Sequence, residues 1–281
     1  MPLALVDQVR SRAMAWKTTE FSIYLATLAL LLGKTSGEPR LLLGIAYEGR
    51  DRAELQGAVG FFVNVLPILA EMATDEGFDG LLARVRSHLT QAMAHSDASY
   101  EDIVQLARPR GEGAGSELVQ VMFDFEQFTP ERLELDGVDA VVVARPDSTA
   151  KFDLTFRCRI GGAEPTIACN YRRQTYGRVV VEGLLAAYVA LLRQVLGDPA
   201  VPLAALRLVD DATAAELLRR GAGPEHALPT GSLVERFEAE VRAHRAPRAG
   251  LGGRRAAQLS GARRQRQPTG AGAPRGRREG G

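Results

Sequence analysis

The sequence predicts an α/β or α+β protein with a mixed, mostly antiparallel sheet and flanking helices. Three observations carry that prediction. Apolar residues recur at helical spacing in several segments, the period changes to two from Leu118 onward, and glycine- or proline-bearing turns separate the segments. The order reads helix, strand, helices, several strands and a long helix, which suits layered helices and sheet. A chain of 281 residues with 46% hydrophobic content can bury a sizeable core as one large domain or two small ones.

Phe21 to Leu32 contains helix formers and no breaker, and Gly33 with "KTSGEP" is expected to end it. "RLLLGIAY", Arg40 to Tyr47, is a short apolar run between turn residues and reads as a buried strand. "EGRDRAELQG" is a polar connection. Phe78, Leu81, Leu82, Val85, Leu89, Ala92 and Met93 recur at spacings of three and four, so Phe78 to His95 is a helix. A short helix follows from Tyr100 to Ala107, and "RPRGEGAGS" is a loop.

Strands then dominate. "LVQVMFDFEQF" alternates in part, "VDAVVVAR" is β-branched, and "KFDLTFRCRI" alternates cleanly from Phe152 to Ile160. "GGAEP" turns that strand into "TIACNYR" as a hairpin. "YGRVVVEGLLAAYVALLRQVLGDP" returns to helical period and stops at Gly197 and Pro199. "DDATAAELLRRG" is a short helix with Asp211 or Thr213 as cap. "AGPEHALPTG" is a linker, and "SLVERFEAEVRAH" is an amphipathic helix with Leu233, Phe237 and Val241 on one stripe.

Beyond Pro247 the chain holds nine arginines and one acid, so this tail carries +8 and the rest carries −7. The tail has no aromatic and no Val or Ile, too little apolar surface to offset the entropy of ordering, and is expected to be disordered. Arginine clusters attract phosphate, yet no aromatics interleave them, so no specific nucleic-acid partner is expected. The longest apolar run, Phe21 to Leu32, is shorter than the roughly 20 residues a membrane span needs. "MPLALVDQVRSR" is too short and polar for a signal peptide, so a cytoplasmic location is expected. Cys158 and Cys169 read as buried thiols on neighbouring strands rather than a disulfide framework.

No phosphate-binding glycine loop, nucleophile elbow or zinc spacing occurs. His88 and His95 lie seven apart on one helix face, but a metal needs a third ligand that no spacing supplies. Solvated helix surface is the simpler reading, and no metal is expected. The segment "GAVGFFVNVLPI", Gly57 to Ile68, stands out. An amide inside an apolar run must find partners or cost about 1–3 kcal/mol. Asn64 is therefore either a bracket for a loop or a donor facing a cavity, and the residues alone leave both open.

These segments resemble condensation domains of nonribosomal peptide synthetases in order as well as content. "VGFFVNVLP" is similar to their Gly-x-Phe-Val-Asn motif. "HSDASYEDIV" resembles their His/Asn-Gln-Asp-x-Pro-Phe-Glu motif, with Ser96 for Gln, Ser99 for Pro and Tyr100 for Phe. "AKFDLTFRC" resembles their Lys-Phe-Asp-Leu strand, while "GAGSE" stands where Arg-Asn-Pro-Leu is expected. "NYRRQTYGRVVVEGLLAAYVALLRQVLGDPAVPLAALRLVDDATAAELL" follows the family's closing pattern, and "SLVERFEAEVRAHRAP" resembles the opening helix of an adenylation domain.

The resemblance implies the C-terminal lobe of a chloramphenicol acetyltransferase-like fold, in which two lobes flank a tunnel. It implies amide-bond formation between aminoacyl or peptidyl thioesters, delivered on the 4′-phosphopantetheine arms of carrier proteins. No cofactor is expected to bind the chain directly. The implied partners are peptidyl carrier domains, an N-terminal condensation lobe and an adenylation domain. Asn64, Gly60 and Phe62 would line the tunnel. His95, Asp97, Lys151 and Asp153 would be structural, with Lys151 and Asp153 on one strand face in a shared polar network. The family's His-His-x-x-x-Asp-Gly signature is absent, since no two histidines are adjacent, so no catalytic residue is assigned and the isolated chain is expected to be inactive. The expected organisation is 1–210 condensation lobe, 211–230 linker, 231–247 adenylation helix and 248–281 tail. The tail's composition matches a GC-rich gene read out of frame. The alternatives are a non-catalytic half-domain that binds a partner lobe or carrier, and a broken gene product.

Overall fold

The computed structural model describes residues 1–50, 52–73, 75–107, 118–127, 132–135, 137–141, 149–161, 164–223, 232–243, 248–249 and 257–258. The chain divides into two units, Met1–Leu218 and Arg219–Gly281. The expected loop at 108–116 and the linker at 224–231 lie outside the described residues.

Leu3–Ala15 forms α1, which no sequence signal announced: Pro2 precedes it and no side chain caps it. It helps cover α2 (Glu20–Ser36) through Leu5, Val6, Val9 and Ala13. Thr19 caps α2, its Oγ1 accepting from Ser22 N–H at 3.1 Å. The helix does not stop at Gly33. It ends at Gly37, whose φ of 76° lets its N–H bond back to Gly33 O at 2.9 Å. From Ser22 to Gly33 every residue of α2 is buried, so it is the central helix, apolar on all sides.

The sheet follows from β1 (Arg40–Tyr47), β2 (Asn64–Glu71), β3 (Val121–Glu126), β6 (Leu154–Arg159) and β7 (Thr166–Tyr171), in the spatial order β2-β1-β3-β6-β7. β4 (Arg132–Leu135) and β5 (Val138–Val141) form a separate antiparallel hairpin. The outer pairs β1–β2 and β6–β7 are antiparallel and the inner pairs β1–β3 and β3–β6 are parallel. With the hairpin and a short pair in the tail, antiparallel pairings outnumber parallel ones among the described residues. The sequence alone announces no strand at 64–71, and Pro67 falls in the middle of β2. Proline is tolerated there because β2 is an edge strand.

The helices α4 (Phe78–Ala94), α5 (Tyr100–Ala107) and α6 (Arg178–Gly197) form where periodicity placed them. A four-residue turn of helix, α3 (Ala53–Gln56), interrupts the expected polar connection. Alternation fixes the buried face of the sheet. Leu66, Ile68 and Ala70 of β2 and Leu154, Phe156 and Cys158 of β6 enter one core with α1, α2, α4 and α6. Fully burying each large side chain contributes about 1.5–3 kcal/mol. Phe21 of α2 packs 5.5 Å from Phe123 and 5.6 Å from Phe125 of β3, and Tyr188 of α6 donates to Tyr24 O of α2 at 2.9 Å. Among the described residues α6 is long and apolar enough to cross a membrane. It packs on α1, α2 and β7, and Tyr188, Leu191, Leu192 and Val195 are fully buried there, so it serves as a core helix.

Cys158 and Cys169 lie on the β6–β7 hairpin, opposite Ile167 and Phe156 respectively, and are not bridged. α7 (Asp211–Ala222) is capped one residue earlier than expected, by Asp210, which accepts from Thr213 N–H at 2.7 Å. Bonds from Thr213 hold the Asp210 carboxyl below the usual carboxylate range. In the second unit, α8 (Leu233–Ala243) begins with a reciprocal cap between Ser232 and Glu235, and its stripe residues Leu233 and Phe237 are exposed. Within the tail, Arg248–Ala249 (β8) pairs antiparallel with Ala257–Gln258 (β9), and the rest lies outside the described residues.

Candidate functional site

Asn64 opens β2, and its side chain spans two sequence motifs. Its Nδ2 donates to Ser96 O at 3.1 Å and to Ala98 O at 2.8 Å, both in the turn between α4 and α5. Its Oδ1 accepts from Val65 N–H at 2.9 Å and from Tyr100 N–H at 3.2 Å. Two donors and an acceptor are thus used on backbone. Of the two readings left open by the sequence, the geometry is that of a bracket: the amide clamps the α4–α5 turn to the start of β2.

The motif departures take part in this clamp. Ser99 caps α5: its Oγ accepts from Asp102 N–H at 3.1 Å and donates to Asp102 Oδ2 at 2.7 Å. The Tyr100 hydroxyl accepts from Val119 N–H at 3.1 Å, joining α5 to the approach to β3. A phenylalanine at position 100 could not make that bond. His95 and Asp97 lie in the same turn with exposed side chains.

Gly60 and Phe62 lie on the extended segment that enters β2. Arg50 organises it from behind. Its guanidinium sits 4.5 Å from the Phe62 ring centroid, and its Nη1 donates to Ala58 O at 2.8 Å and to Leu55 O. Gly49 has φ 65°, and a side chain there would collide with Phe62 O. Phe62 is thereby held half-buried while its neighbours face outward: Val59, Phe61 and Val63 are 104%, 91% and 47% exposed. The segment presents an apolar ridge from a rigid base. Arg50 was missed in the sequence, where "EGRDR" reads only as polar.

Beside this ridge lies the sheet face turned away from the core. It carries Val65, Pro67 and Leu69 of β2 and a ladder of charges on β3 and β6. Register sets Asp124 opposite Arg157 and Glu126 opposite Arg159. Arg157 Nε lies 3.0 Å from Asp124 and 3.6 Å from Glu126, and Arg159 Nε lies 2.6 Å from Glu126. These side chains are about one-third exposed, so each pair contributes modestly, on the order of 0.2–1 kcal/mol. The signal was present in the sequence as same-sign charges two apart on each strand.

Asp153 and Lys151 precede β6 rather than lying within it. Asp153 pairs with Arg172 at 2.8 Å across the hairpin and Lys151 is exposed, and neither lies on the strand face where the sequence places their shared polar network. His88 presents Nδ1 to Leu69 O at 2.7 Å, half-buried against the edge of β2. Among the described residues no group of three His, Cys, Asp or Glu side chains is placed to hold a metal ion. Burial pushes the Cys158 and Cys169 thiols up to about 12, and Tyr24 and Tyr188 are likewise raised by burial.

The condensation-domain family model matches residues 2–218. The chain is 27% identical over 208 residues to tyrocidine synthase 3 of Brevibacillus parabrevis, covering 74% of this chain and 3% of that protein. It is 29% identical over 222 residues to isonitrile lipopeptide synthase of Mycobacterium tuberculosis (77% and 9%). Among solved structures it resembles the first condensation domain of the calcium-dependent antibiotic synthetase, with TM-score 0.63 and 19% identity, over 74% of this chain and 45% of that one. It also resembles a holo four-domain nonribosomal peptide synthetase bound to AMP and glycine, with TM-score 0.69 and 18% identity, over 86% and 22%. At such identities the structures speak for the fold. The chain spans a small fraction of these curated relatives and just under half of the solved condensation domain.

Proposed function

The chain belongs to the condensation-domain family of nonribosomal peptide synthetases, and from that premise we propose that it supplies the C-terminal lobe of an amide-forming site. In this reading the amine of one carrier-bound aminoacyl group attacks the thioester carbonyl of another. The carbon–sulfur bond breaks, the carrier thiol leaves, and the amine gives up a proton. The observation that carries the proposal is the family match over residues 2–218. The clamp supports it, since Asn64 joins in space two motifs that the resemblance identified separately.

This lobe contributes a wall and no proton-transfer group. Gly60, Phe62 and Asn64 shape the segment whose exposed side chains, Val59, Phe61 and Val63, border the channel. In this reading the general-base or positioning histidine comes from the N-terminal lobe of the domain, and the substrates arrive on phosphopantetheine arms of carrier domains. The exposed Leu233 and Phe237 of α8 fit the opening helix of an adenylation domain.

The test uses two carrier proteins loaded with donor and acceptor, with mass spectrometry of the carrier-bound product. The chain alone is expected to give no dipeptidyl thioester, and addition of a separately produced lobe bearing the His-His-x-x-x-Asp-Gly motif is expected to restore it. Turnover by the chain alone would sink the proposal. A second reading, a half-domain that binds a partner lobe without chemistry, draws on the absence of adjacent histidines. Its mark is stable co-purification with that lobe and no product.

A further inference from the structure

Residues 198–207 follow α6 and cross the ends of three helices. At the start of α4, Pro199 O accepts from Asp79 N–H at 3.3 Å, Leu203 N–H donates to Glu76 O at 2.8 Å, and Pro202 forms an isolated bridge with Gly77. In the last turn of α2, Lys34 Nζ donates to Leu203 O at 2.8 Å and to Ala204 O at 3.2 Å. Near the end of α6, Gln194 holds the main chain of Arg207 as a neighbouring strand would. Its Nε2 donates to Arg207 O at 2.8 Å, and its Oε1 accepts from Arg207 N–H at 3.0 Å. Leu203 and Leu206 anchor the segment, 3% and 4% exposed.

These holds are of a separable kind. The regular structure of the segment is one turn of 3-10 helix, Leu203–Ala205, outside the five-stranded sheet. Two of its fastenings are side chains of other elements, and the bonds to Ala204 and Arg207 are open to water. A cavity of about 270 Å³, bordered by Leu30, Lys34, Met72, Leu203 and Ala204, lies beside the first anchor, which therefore packs against a void on that side. Pro199 and Pro202 fix two φ angles and stiffen the run. A short segment held by few buried contacts and by exposed backbone bonds opens well before the whole molecule unfolds.

We propose that residues 198–207 are a releasable strap that opens and closes as one unit, with Lys34 and Gln194 as its latches. Closed, the strap fixes the point at which the chain leaves this core. Open, it frees about 33 Å of extended chain while α2, α4 and α6 stay folded. Gly77 is its seat. A methyl group there would meet Pro199 O at 2.6 Å and Ala200 Cα at 3.0 Å, so the strap lies flat because this position has no side chain.

The experiment is native-state amide exchange of the full chain, read residue by residue by NMR. The Leu203 and Arg207 amides are expected to share one protection factor, at least tenfold below that of Leu28 in the fully buried part of α2. Gln194→Ala removes no group bonded to Leu203, yet it is expected to speed exchange at Leu203 about tenfold. Lys34→Met, which keeps the apolar stem, is expected to do the same at Arg207. Gly77→Ala, at a φ of −81° that any residue adopts, is expected to speed both by prying at Pro199. Strap amides as protected as Leu28 would mean that the segment opens only when everything unfolds. A Leu203 amide indifferent to Gln194→Ala would mean that the bonds break one by one. Either result would overturn the proposal.

Discussion

Replacing Asn64 with alanine separates a bracket from a channel donor. The side chain makes four hydrogen bonds to backbone, at 3.1, 2.8, 2.9 and 3.2 Å. Each contributes about 0.5–1.5 kcal/mol net, and the bond to Ala98 O is exposed and counts at the low end. Asn64→Ala should therefore cost about 2–4 kcal/mol. In urea the midpoint should fall with the slope unchanged. For a unit of this size the melting temperature should drop by about 5–12 °C. Asn64→Asp keeps the acceptor but sets a carboxylate against the carbonyls of Ser96 and Ala98, so it should be at least as destabilising at neutral pH. A loss under about 0.5 kcal/mol would refute the bracket, because surface substitutions remote from structural features fall in that range.

Three further outcomes follow from the same geometry. Tyr100→Phe, which restores the family's phenylalanine, should cost about 1 kcal/mol in urea unfolding by leaving Val119 N–H without its acceptor; no loss would remove the hydroxyl from the clamp. Gly49→Ala should cost about 1–3 kcal/mol and loosen the Val59–Val63 segment, read as faster proteolysis there, because φ is 65° and the new methyl meets Phe62 O. Stability should also fall in alkali. Burial raises the Cys158 and Cys169 thiols from 9.0 to about 12, so their contribution is complete below pH 9 and is lost as pH climbs through 12. The urea midpoint should hold from pH 7 to pH 9 and drop by pH 11, and an unchanged midpoint at pH 11 would contradict it.

The sequence by itself determined the elements whose partners are near in the chain or whose pattern is self-announcing. Phe78–Ala94 shows its apolar stripe every three or four residues, and the β6–β7 hairpin shows alternation on both sides of a glycine turn. It also carried the motif order that marks the family. It could not set the end of α2, because Gly33 and Gly37 both look like stops and only packing along the whole helix favours the later one. α1 stayed hidden because its buried residues, Leu5, Val6, Val9 and Ala13, sit among polar ones and acquire meaning only against α2 and α6. β2 went unannounced, and the Pro67 within it is harmless only at an edge. The role of Asn64 belonged wholly to the tertiary structure. Its partners beyond its own neighbour lie 32 to 36 residues away, and an amide's donors and acceptor carry no information about direction until the fold brings a turn to meet them.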